Sequence, residues 1–363
     1  MREEAPRIQI FSAAIGEGHD GPARQLTAAL TAIDPATEVE VVDFLALVPL
    51  VGKIAIGGSQ FHSTLGSRIF DGIFWLVNYF EPTWRLTNWG LVLLARRRTH
   101  AAIEAFGPDV VVSTYPGTTL LLGELRARGL LRVPAVAAIT DLAALRSWTH
   151  PAVDLHLITH PESSAEVRGL APASEIRAVS GFTSPGFERE LDPARARADL
   201  GLPAGGPVIV VSGGGWAVGD LSGAIAEGLG VPGASVVCLA GRNDEVRDTL
   251  EREFAAEPRV RILPFTDRIA ELFAAADVLV HSTAGLTVLE ALISGCRVIS
   301  YGWGHGHVRV NNRAFARFGL AQVAGDRAQL RAALERAVAE PRRPERELAE
   351  LPPAAASVYE LAA

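Results

Sequence analysis

The stretch Ile8-Gln-Ile-Phe-Ser-Ala-Ala-Ile-Gly16-Glu-Gly18-His19-Asp-Gly21-Pro-Ala-Arg-Gln-Leu26-Thr-Ala-Ala-Leu30 decides the fold. Ile8, Ile10 and Phe11 open an apolar run that reads as a strand. Gly16 to Gly21 makes a turn, and Ala23, Leu26, Ala29 and Leu30 then recur at helical spacing. Gly16, Gly18 and Gly21 satisfy G-x-G-x-x-G between strand and helix, the dinucleotide-binding fingerprint in the context it requires. Glycines there let main-chain N–H groups approach a ligand, and a helix N-terminus attracts anions. Yet Glu17 puts a carboxylate in the turn, and His19 puts an imidazole at the head of the helix. Whether the turn holds a nucleotide or another ligand decides the function.

Outward from this unit, short β-branched runs alternate with amphipathic ones. Strands are predicted at Val39 to Phe44, Asp109 to Ser113, Val133 to Ile139, Leu155 to Thr159 and Ile176 to Val179. The second half repeats the rhythm at Val208 to Ser212, Val236 to Leu239, Val260 to Leu263, Val278 to Val280 and Val298 to Tyr301. Such a pattern predicts an α/β chain with two Rossmann-like domains, each a parallel sheet covered on both faces. Gly181, Pro185, Gly186 and Pro193 interrupt regular structure, and the first domain is placed at 1–188 and the second at 189–340. Residues 341–363 read as an exposed linker rich in proline, arginine and glutamate, followed by a short helix from Ala354 to Leu361.

The totals narrow the class. At 363 residues the chain suits two domains. Apolar residues at 48% and charged residues at 21% describe a folded globular protein. A net charge of −7 argues against a general nucleic-acid binder. Cys238 and Cys296 sit in apolar strand contexts and read as buried free thiols in a reducing compartment. No signal peptide and no membrane span are evident, so a soluble or peripheral cytoplasmic protein is expected.

Leu45 to His100 breaks the rhythm. It holds Trp75, Trp84 and Trp89 with Phe70, Phe74, Tyr79 and Phe80. Six basic residues (Lys53, Arg68, Arg85, Arg96, Arg97, Arg98) stand against two acidic ones (Asp71, Glu81), a local surplus of four in an acidic chain. Aromatics beside arginines suit a helix lying in an anionic membrane interface, with Trp75, Trp84, Arg96 and Arg97 as the contacts. The alternative is a core of aromatics with a solvated arginine face.

The second half carries the sharper chemical signal. Val208 to Ser212 runs into Gly213-Gly214-Gly215, and Val278 to Val280 leads into His281-Ser282-Thr283-Ala284-Gly285-Leu286-Thr287. Small hydroxyl residues and Gly285 at a helix N-terminus make a diphosphate site from main-chain N–H groups and dipole. Glu290, one turn beyond Thr287, is placed to accept from ribose hydroxyls, and Phe265 to hold a base.

These pieces together resemble the GT-B glycosyltransferases, specifically the monogalactosyldiacylglycerol synthases and bacterial processive diacylglycerol glucosyltransferases. The resemblance spans about residues 8 to 325. It rests on Gly16-Glu-Gly-His19, Thr140-Asp141 with Trp148, Val153-Asp154, Ser180-Gly-Phe with Pro185 and Phe187, Ser212-Gly-Gly-Gly, Gly241-Arg-Asn243 and Ala284-Gly-Leu-Thr-Val-Leu-Glu290-Ala. The transferase that adds N-acetylglucosamine to the peptidoglycan lipid intermediate shares the architecture. The family implies an inverting hexosyltransferase that moves sugar from a UDP-linked donor to a lipid hydroxyl, here diacylglycerol, at the inner face of the cell membrane. It also implies sheets facing a cleft, with the acceptor on the first domain and the donor on the second. Gly16, Glu17, Gly18 and Trp148 would then bind the acceptor. Gly214, Arg242, Phe265, Ser282, Thr283, Gly285, Leu286, Thr287, Glu290, His305, His307 and Asn312 would bind the donor. The chain has no Asp-x-Asp, which fits a reaction without metal or other cofactor. The leaving diphosphate would be stabilised at Gly285, aided by Arg242. His19 is the expected base because its ordinary pKa lies nearest the working pH, with Asp141 as its orienter or as the base itself.

Three departures qualify the resemblance. Glu17 replaces a glycine, and Leu145 stands where the family has a histidine. Gly304-His-Gly-His307-Val-Arg309 replaces the Pro-Gly-Gln/Glu-Glu stretch that contacts donor sugar hydroxyls. His305 and His307 lack nearby partners in sequence for a metal. Two rivals remain: an NAD-dependent oxidoreductase using Gly16 to Gly21 with Asp43 as ribose acceptor, and a sugar-nucleotide epimerase of the same two-domain shape. Against the first, Glu17 places negative charge where a pyrophosphate would lie and the second glycine turn and Gly285 helix are left idle; the second has no use for the aromatic, basic excursion. For His19 the plain alternative is a helix residue bonded locally, and for Glu290 a first-turn glutamate favoured by the dipole.

Overall fold

The computed structural model describes residues 5–14, 17–49 and 64–363, with the main chain alone over 64–70. Gly16 and Lys53 therefore lie outside the described residues, as do the side chains of Arg68 and Phe70. The chain divides into two units, Met1–Phe182 with Leu351–Ala363, and Thr183–Glu350.

In the first unit the strands are β1 (Arg7–Ser12), β2 (Glu38–Asp43), β3 (Val110–Ser113), β4 (Ala135–Ile139), β5 (Leu155–Ile158) and β6 (Glu175–Ala178). All pair in parallel, in the order β2-β1-β3-β4-β5-β6. β3, β4 and β5 are buried at every position, as a parallel strand with helices on both faces must be. Phe11, Phe44, Val111, Leu121 and Leu122 form part of the core between sheet and helices. Order reverses between β1 and β3, the switch point at which open α/β sheets place their ligands.

The second unit repeats the design with β7 (Val208–Ser212), β8 (Ser235–Leu239), β9 (Val260–Leu263), β10 (Val278–His281), β11 (Arg297–Tyr301) and β12 (Gln322–Ala324). The order is β12-β11-β10-β7-β8-β9, again all parallel, and the switch point falls between β7 and β10. Sequence periodicity does not foresee β12, because three residues at a sheet edge are too few to show a period. Cys238 and Cys296 are buried free thiols whose pKa burial pushes up to about 12.

Two expectations are corrected. The boundary falls at Phe182 and Thr183, not after 188. The arginine- and proline-rich segment is also not a free linker. Arg342 donates to the carbonyls of Phe273 (3.2 Å), Ala274 and Ser294, which close two helices. Arg346 donates to those of Phe187 (3.0 Å), Glu188 (3.2 Å) and Arg189 (3.2 Å). Carbonyls at helix ends have no intrahelical partner, so cations there are favoured. Beyond this strap the chain rejoins the first unit. Ser180 and Pro353 form a bridge, and Tyr359 on the helix Ala354–Ala362 donates to Asp34 at 3.1 Å.

Among the described residues the excursion begins in the short helix Phe44–Leu47 and continues in the helices Thr64–Tyr79 and Glu81–Phe106. The longest buries Val92, Ala95, Thr99 and Ile103 against the first unit and stops at Gly107, whose φ of 64° ends it in the left-handed region. Trp75 and Trp89 are each 59% exposed, together with Ile73, Leu76, Leu86, Leu93 and Leu94. Large apolar side chains exposed on consecutive helices are of the kind that contact a partner or a membrane. Trp84, expected with them, instead turns beneath the Arg146 guanidinium, 5.2 Å from its ring. Arg97 and Arg98 are exposed and Arg96 half-buried; Arg98 donates to the Leu47 carbonyl at 2.8 Å. No helix among the described residues is long and apolar enough to cross a membrane.

Candidate active site

The carboxyl ends of β1, β3 and β4 deliver three loops in the first unit. The first leads into the helix Glu17–Ile33, so Gly18 and Gly21 already lie within that helix, not in the turn before it. Neither takes a positive φ, and a Cβ on Gly18 would meet nothing within 4 Å. Backbone conformation therefore does not require glycine at either position. Glu17, expected at the acceptor, pairs with Arg24 two turns along. Asp43, the ribose acceptor of the oxidoreductase reading, instead accepts from the Ala14 amide (3.2 Å) and the Leu45 amide (3.0 Å). It closes a loop and caps a turn through Oδ1.

His19 stands in the first turn of this helix with Nδ1 2.9 Å from the carbonyl oxygen of Thr114, at the end of β3. A carbonyl can only accept, so Nδ1 carries the proton and the neutral ring's lone pair resides on Nε2. Tyr115 meets the imidazole edge-on at 5.1 Å between ring centroids, and Trp148 lies at 5.8 Å. Trp148 is 1% exposed and donates its indole N–H to Asp141 Oδ2 at 2.8 Å. Asp141, His19 and Trp148 are thus brought together as expected. The Nδ1 orienter, however, is a main-chain carbonyl, and Asp141 fixes the indole. Burial raises the pKa of Tyr115 and keeps it a neutral wall.

In the second unit the loops after β7, β8 and β10 meet at the switch point. Gly241 has φ 59°, and a Cβ there would lie 2.4 Å from the Gly215 oxygen; only glycine allows the two loops this approach. The Arg242 amide donates to that oxygen at 2.8 Å. The Phe265 amide donates to the Gly241 carbonyl at 2.7 Å, and the Arg242 guanidinium sits 3.9 Å over the Phe265 ring, which is 45% exposed. Arg242 and Phe265, expected to serve one donor, do stand side by side. A Cβ on Gly214 would lie 3.2 Å from Thr283 Oγ1, which places β7 and β10 loops in contact. Ser282 donates its hydroxyl to the Val218 carbonyl and its amide to Ser212 at 3.2 Å. Gly285, with φ 99°, is the N-cap of the helix Leu286–Ser294 and brings no capping side chain. The first-turn amides of Leu286 and Thr287 therefore receive no side-chain cap from Gly285, the condition under which a helix N-terminus can accept an anion.

Two expected donor contacts do other work. Glu290 is 5% exposed; the Ser184 amide donates to Oε1 at 2.8 Å, and the Ser184 hydroxyl also donates to the carboxylate. Burial pushes its pKa up to about 7. Its carboxylate anchors the segment that opens the second unit instead of standing open to a ribose. Asn312 is fully buried, accepts from Ser300, and donates to the carbonyls of Gly302 and Trp303, each at 3.3 Å. It positions the loop that carries His305, while His307 heads the helix His307–Phe318. Arg309 Nε donates to the Gly304 carbonyl at 3.1 Å. Thr114 and Tyr115, which meet His19, are additional site residues, and Trp216 and Trp303 stand exposed on the loops after β7 and β11. Their signal in the sequence is position, since each follows the carboxyl end of a parallel strand by a few residues.

Residues 19–177 match the family described as Monogalactosyldiacylglycerol (MGDG) synthase, and residues 224–340 that described as Glycosyl transferases group 1. A processive diacylglycerol beta-glucosyltransferase of Bacillus mycoides (strain KBAB4) is 22% identical over 334 residues, covering 91% of this chain and 85% of its own. The protein of the same name from Bacillus thuringiensis (strain Al Hakam) is 23% identical over the same span. Among solved structures, the spinosyn rhamnosyltransferase SpnG complexed with spinosyn aglycone superposes with a TM-score of 0.58 at 14% identity, covering 98% of this chain and 95% of that one. MurG of Acinetobacter baumannii gives 0.57 at 16% identity, with 98% and 99% covered. The two parallel six-stranded units are those of the GT-B fold.

Proposed function

Because this chain is a glycosyltransferase of the GT-B fold whose first unit matches the monogalactosyldiacylglycerol synthase family, we propose that it transfers a hexose from a UDP-linked donor to diacylglycerol. The transfer proceeds with inversion, without a metal ion, at the inner face of the cell membrane. The observation that carries this reading is the 2.9 Å contact of the Thr114 carbonyl oxygen with Nδ1 of His19. Its Nδ1–H is tied to Thr114, so Nε2 is the basic nitrogen.

In the proposed reaction the acceptor hydroxyl donates to His19 Nε2 and its oxygen attacks the anomeric carbon. The C–O bond to the acceptor forms as the bond to the diphosphate oxygen breaks. The proton passes to Nε2, and the electron pair leaves with the diphosphate. Thr114 stabilises the imidazolium through its carbonyl, and the Asp141 carboxylate, held by Trp148, adds negative charge to the same wall. On the donor side, the Leu286 and Thr287 amides receive the diphosphate, with Arg242 and Phe265 holding the nucleotide. The exposed tryptophans and leucines of the two longer excursion helices, with Arg96 and Arg97, rest on an anionic lipid surface.

The test is a donor panel of UDP-glucose, UDP-galactose, UDP-N-acetylglucosamine and GDP-mannose with diacylglycerol in mixed micelles, products resolved by mass spectrometry and anomeric NMR. One UDP-sugar giving a β-linked product from an α-linked donor, unaffected by EDTA, supports the reading. His19→Ala should lower turnover by about 10²–10⁴-fold with UDP affinity unchanged. Normal turnover in that variant removes His19 as base.

A further inference from the structure

The first unit has another concavity, a cavity of about 420 Å³ whose lining includes neither His19 nor Asp141. It lies along the start of the helix Glu81–Phe106, between Trp84, Asn88 and Trp89 on one side and Glu124, Arg128 and Arg146 on the other. Its volume is in the roughly 300–1,000 Å³ range of small-molecule sites. We propose that it binds the uncharged sugar headgroup of a membrane glycolipid, retaining the enzyme on a membrane that already contains its product. This inference rests on the membrane-surface reading above.

The charge arrangement selects the ligand class. Arg146 and Arg85 each lie 2.8 Å from Glu81, and Arg128 lies 3.0 Å from Glu124. The Arg146 hydrogen bond, with that of Arg85, holds Glu81 below the usual carboxylate range, so it remains an acceptor at neutral pH. Each guanidinium in the wall already touches a carboxylate, Arg85 and Arg146 sharing Glu81 and Arg128 holding Glu124, so three cations stand against two anions. An anionic headgroup would have to displace those carboxylates, whereas a neutral polyol can accept from the guanidinium edges and donate to the carboxylate oxygens.

Asn88 adds an unmet acceptor. Its Nδ2 donates to Glu124 Oε1 at 3.4 Å, while its Oδ1 is buried with no donor of the described residues within reach. A hydroxyl hydrogen satisfies it, and buried polar atoms ordinarily are satisfied. Trp84 and Trp89 provide the flat apolar surfaces on which the C–H face of a pyranose packs.

The tails have a place as well. At helical spacing, Leu93 stands four residues beyond Trp89 and Leu86 three before it, on one flank of the same helix. Trp89, Leu86 and Leu93 are all large apolar side chains at least half exposed. The rim of the cavity thus continues into an apolar strip, so a headgroup in the cavity leaves its acyl chains against that strip.

The experiment is co-sedimentation of the full chain with phosphatidylcholine vesicles, alone or containing monohexosyl diacylglycerol, diacylglycerol or phosphatidylglycerol. The hexosyl lipid should raise vesicle affinity about tenfold over diacylglycerol. Asn88→Leu and Glu124→Gln should each abolish that gain, and His19→Ala should keep it; melting curves verify that the variants fold. The proposal is overturned if the gain is absent, or if it survives both cavity variants. It is equally overturned if phosphatidylglycerol produces the same cavity-dependent gain. The catalytic reading is scored separately, by transfer to diacylglycerol in micelles free of glycolipid, where both cavity variants should match the unmodified protein. Cavity-dependent binding without any transfer would sink the catalytic reading alone.

Discussion

Acid should dismantle the two units unequally. His156 and His160 lie in the first unit, and burial depresses both from the ordinary 6.5 to about 4; a neighbouring histidine, His150, adds to the effect on His156. The unfolded chain therefore binds more protons between these values, and the stability from burying each neutral ring is lost as pH falls from 6.5 towards 4. Each displacement is worth about 3 kcal/mol, so the pair costs the first unit about 6–7 kcal/mol, comparable to a whole domain's stability. In the second unit burial likewise depresses His281 to about 4. Glu290 works with the opposite sign. Its carboxyl is raised from 4.5 to about 7, so its contribution is present below 4.5 and lost as pH rises through 7. Its gain on acidification is also about 3 kcal/mol and offsets His281. Hydrogen–deuterium exchange read by peptide, with intrinsic rates corrected, should show β4 and β5 losing protection between pH 6.5 and 4.5 while β7 and β10 keep theirs. The His156→Gln/His160→Gln double variant should flatten that loss. Equal loss in both units, or an unchanged acid profile in the double variant, would refute the reasoning.

Gly241→Ala should weaken UDP binding at least tenfold and lower Tm, because the residue is held at φ 59° and its new methyl would strike the Gly215 carbonyl; left-handed strain alone is about 1–2 kcal/mol. Isothermal titration with UDP checks it, and unchanged affinity would separate the Gly241 turn from the donor site. Phe265→Ala should cost about 1–3 kcal/mol of nucleotide affinity if a base stacks on the ring, measured by the same titration. Replacing Trp75 and Trp89 with serine should reduce binding to anionic vesicles, whereas Trp84→Ser, beneath Arg146, should reduce it much less; equal losses would contradict the exposure pattern. Arg96→Gln with Arg97→Gln should remove the salt dependence of vesicle binding, scored by sedimentation across ionic strength.

Eleven of the twelve strands among the described residues are legible from local pattern, since a parallel strand buried on both faces must be largely apolar, as Val208 to Ser212 and Val110 to Ser113 are. The glycine turn after β7 and the uncapped helix at Gly285 were legible for a similar reason: their chemistry is main-chain chemistry, and glycine marks it. What misled was charge and proline content between Pro341 and Pro353. Composition describes a solvated segment, but Arg342 and Arg346 find carbonyls from three distant parts of the chain.

Ile8 to Leu30 shows the division plainly. Strand, turn and helix follow from the order of apolar residues and glycines, and so does the presence of an imidazole at the helix head, because these depend on neighbours within a few residues. The ligand of that turn does not follow. Three glycines spelled a nucleotide cradle, yet the helix begins at Glu17 and takes two of them into itself, and Asp43 is drawn into the loop beside Ala14. The proton on Nδ1 of His19 is set by Thr114, 95 residues away, and Trp148 is held by Asp141 across a separate loop. Glu290 was read as a donor contact from its place in a helix, but Ser184, 106 residues earlier, claims its carboxylate. Local order determines which groups exist on each element; which of them face a substrate depends on partners that only the packed sheets bring within hydrogen-bonding range.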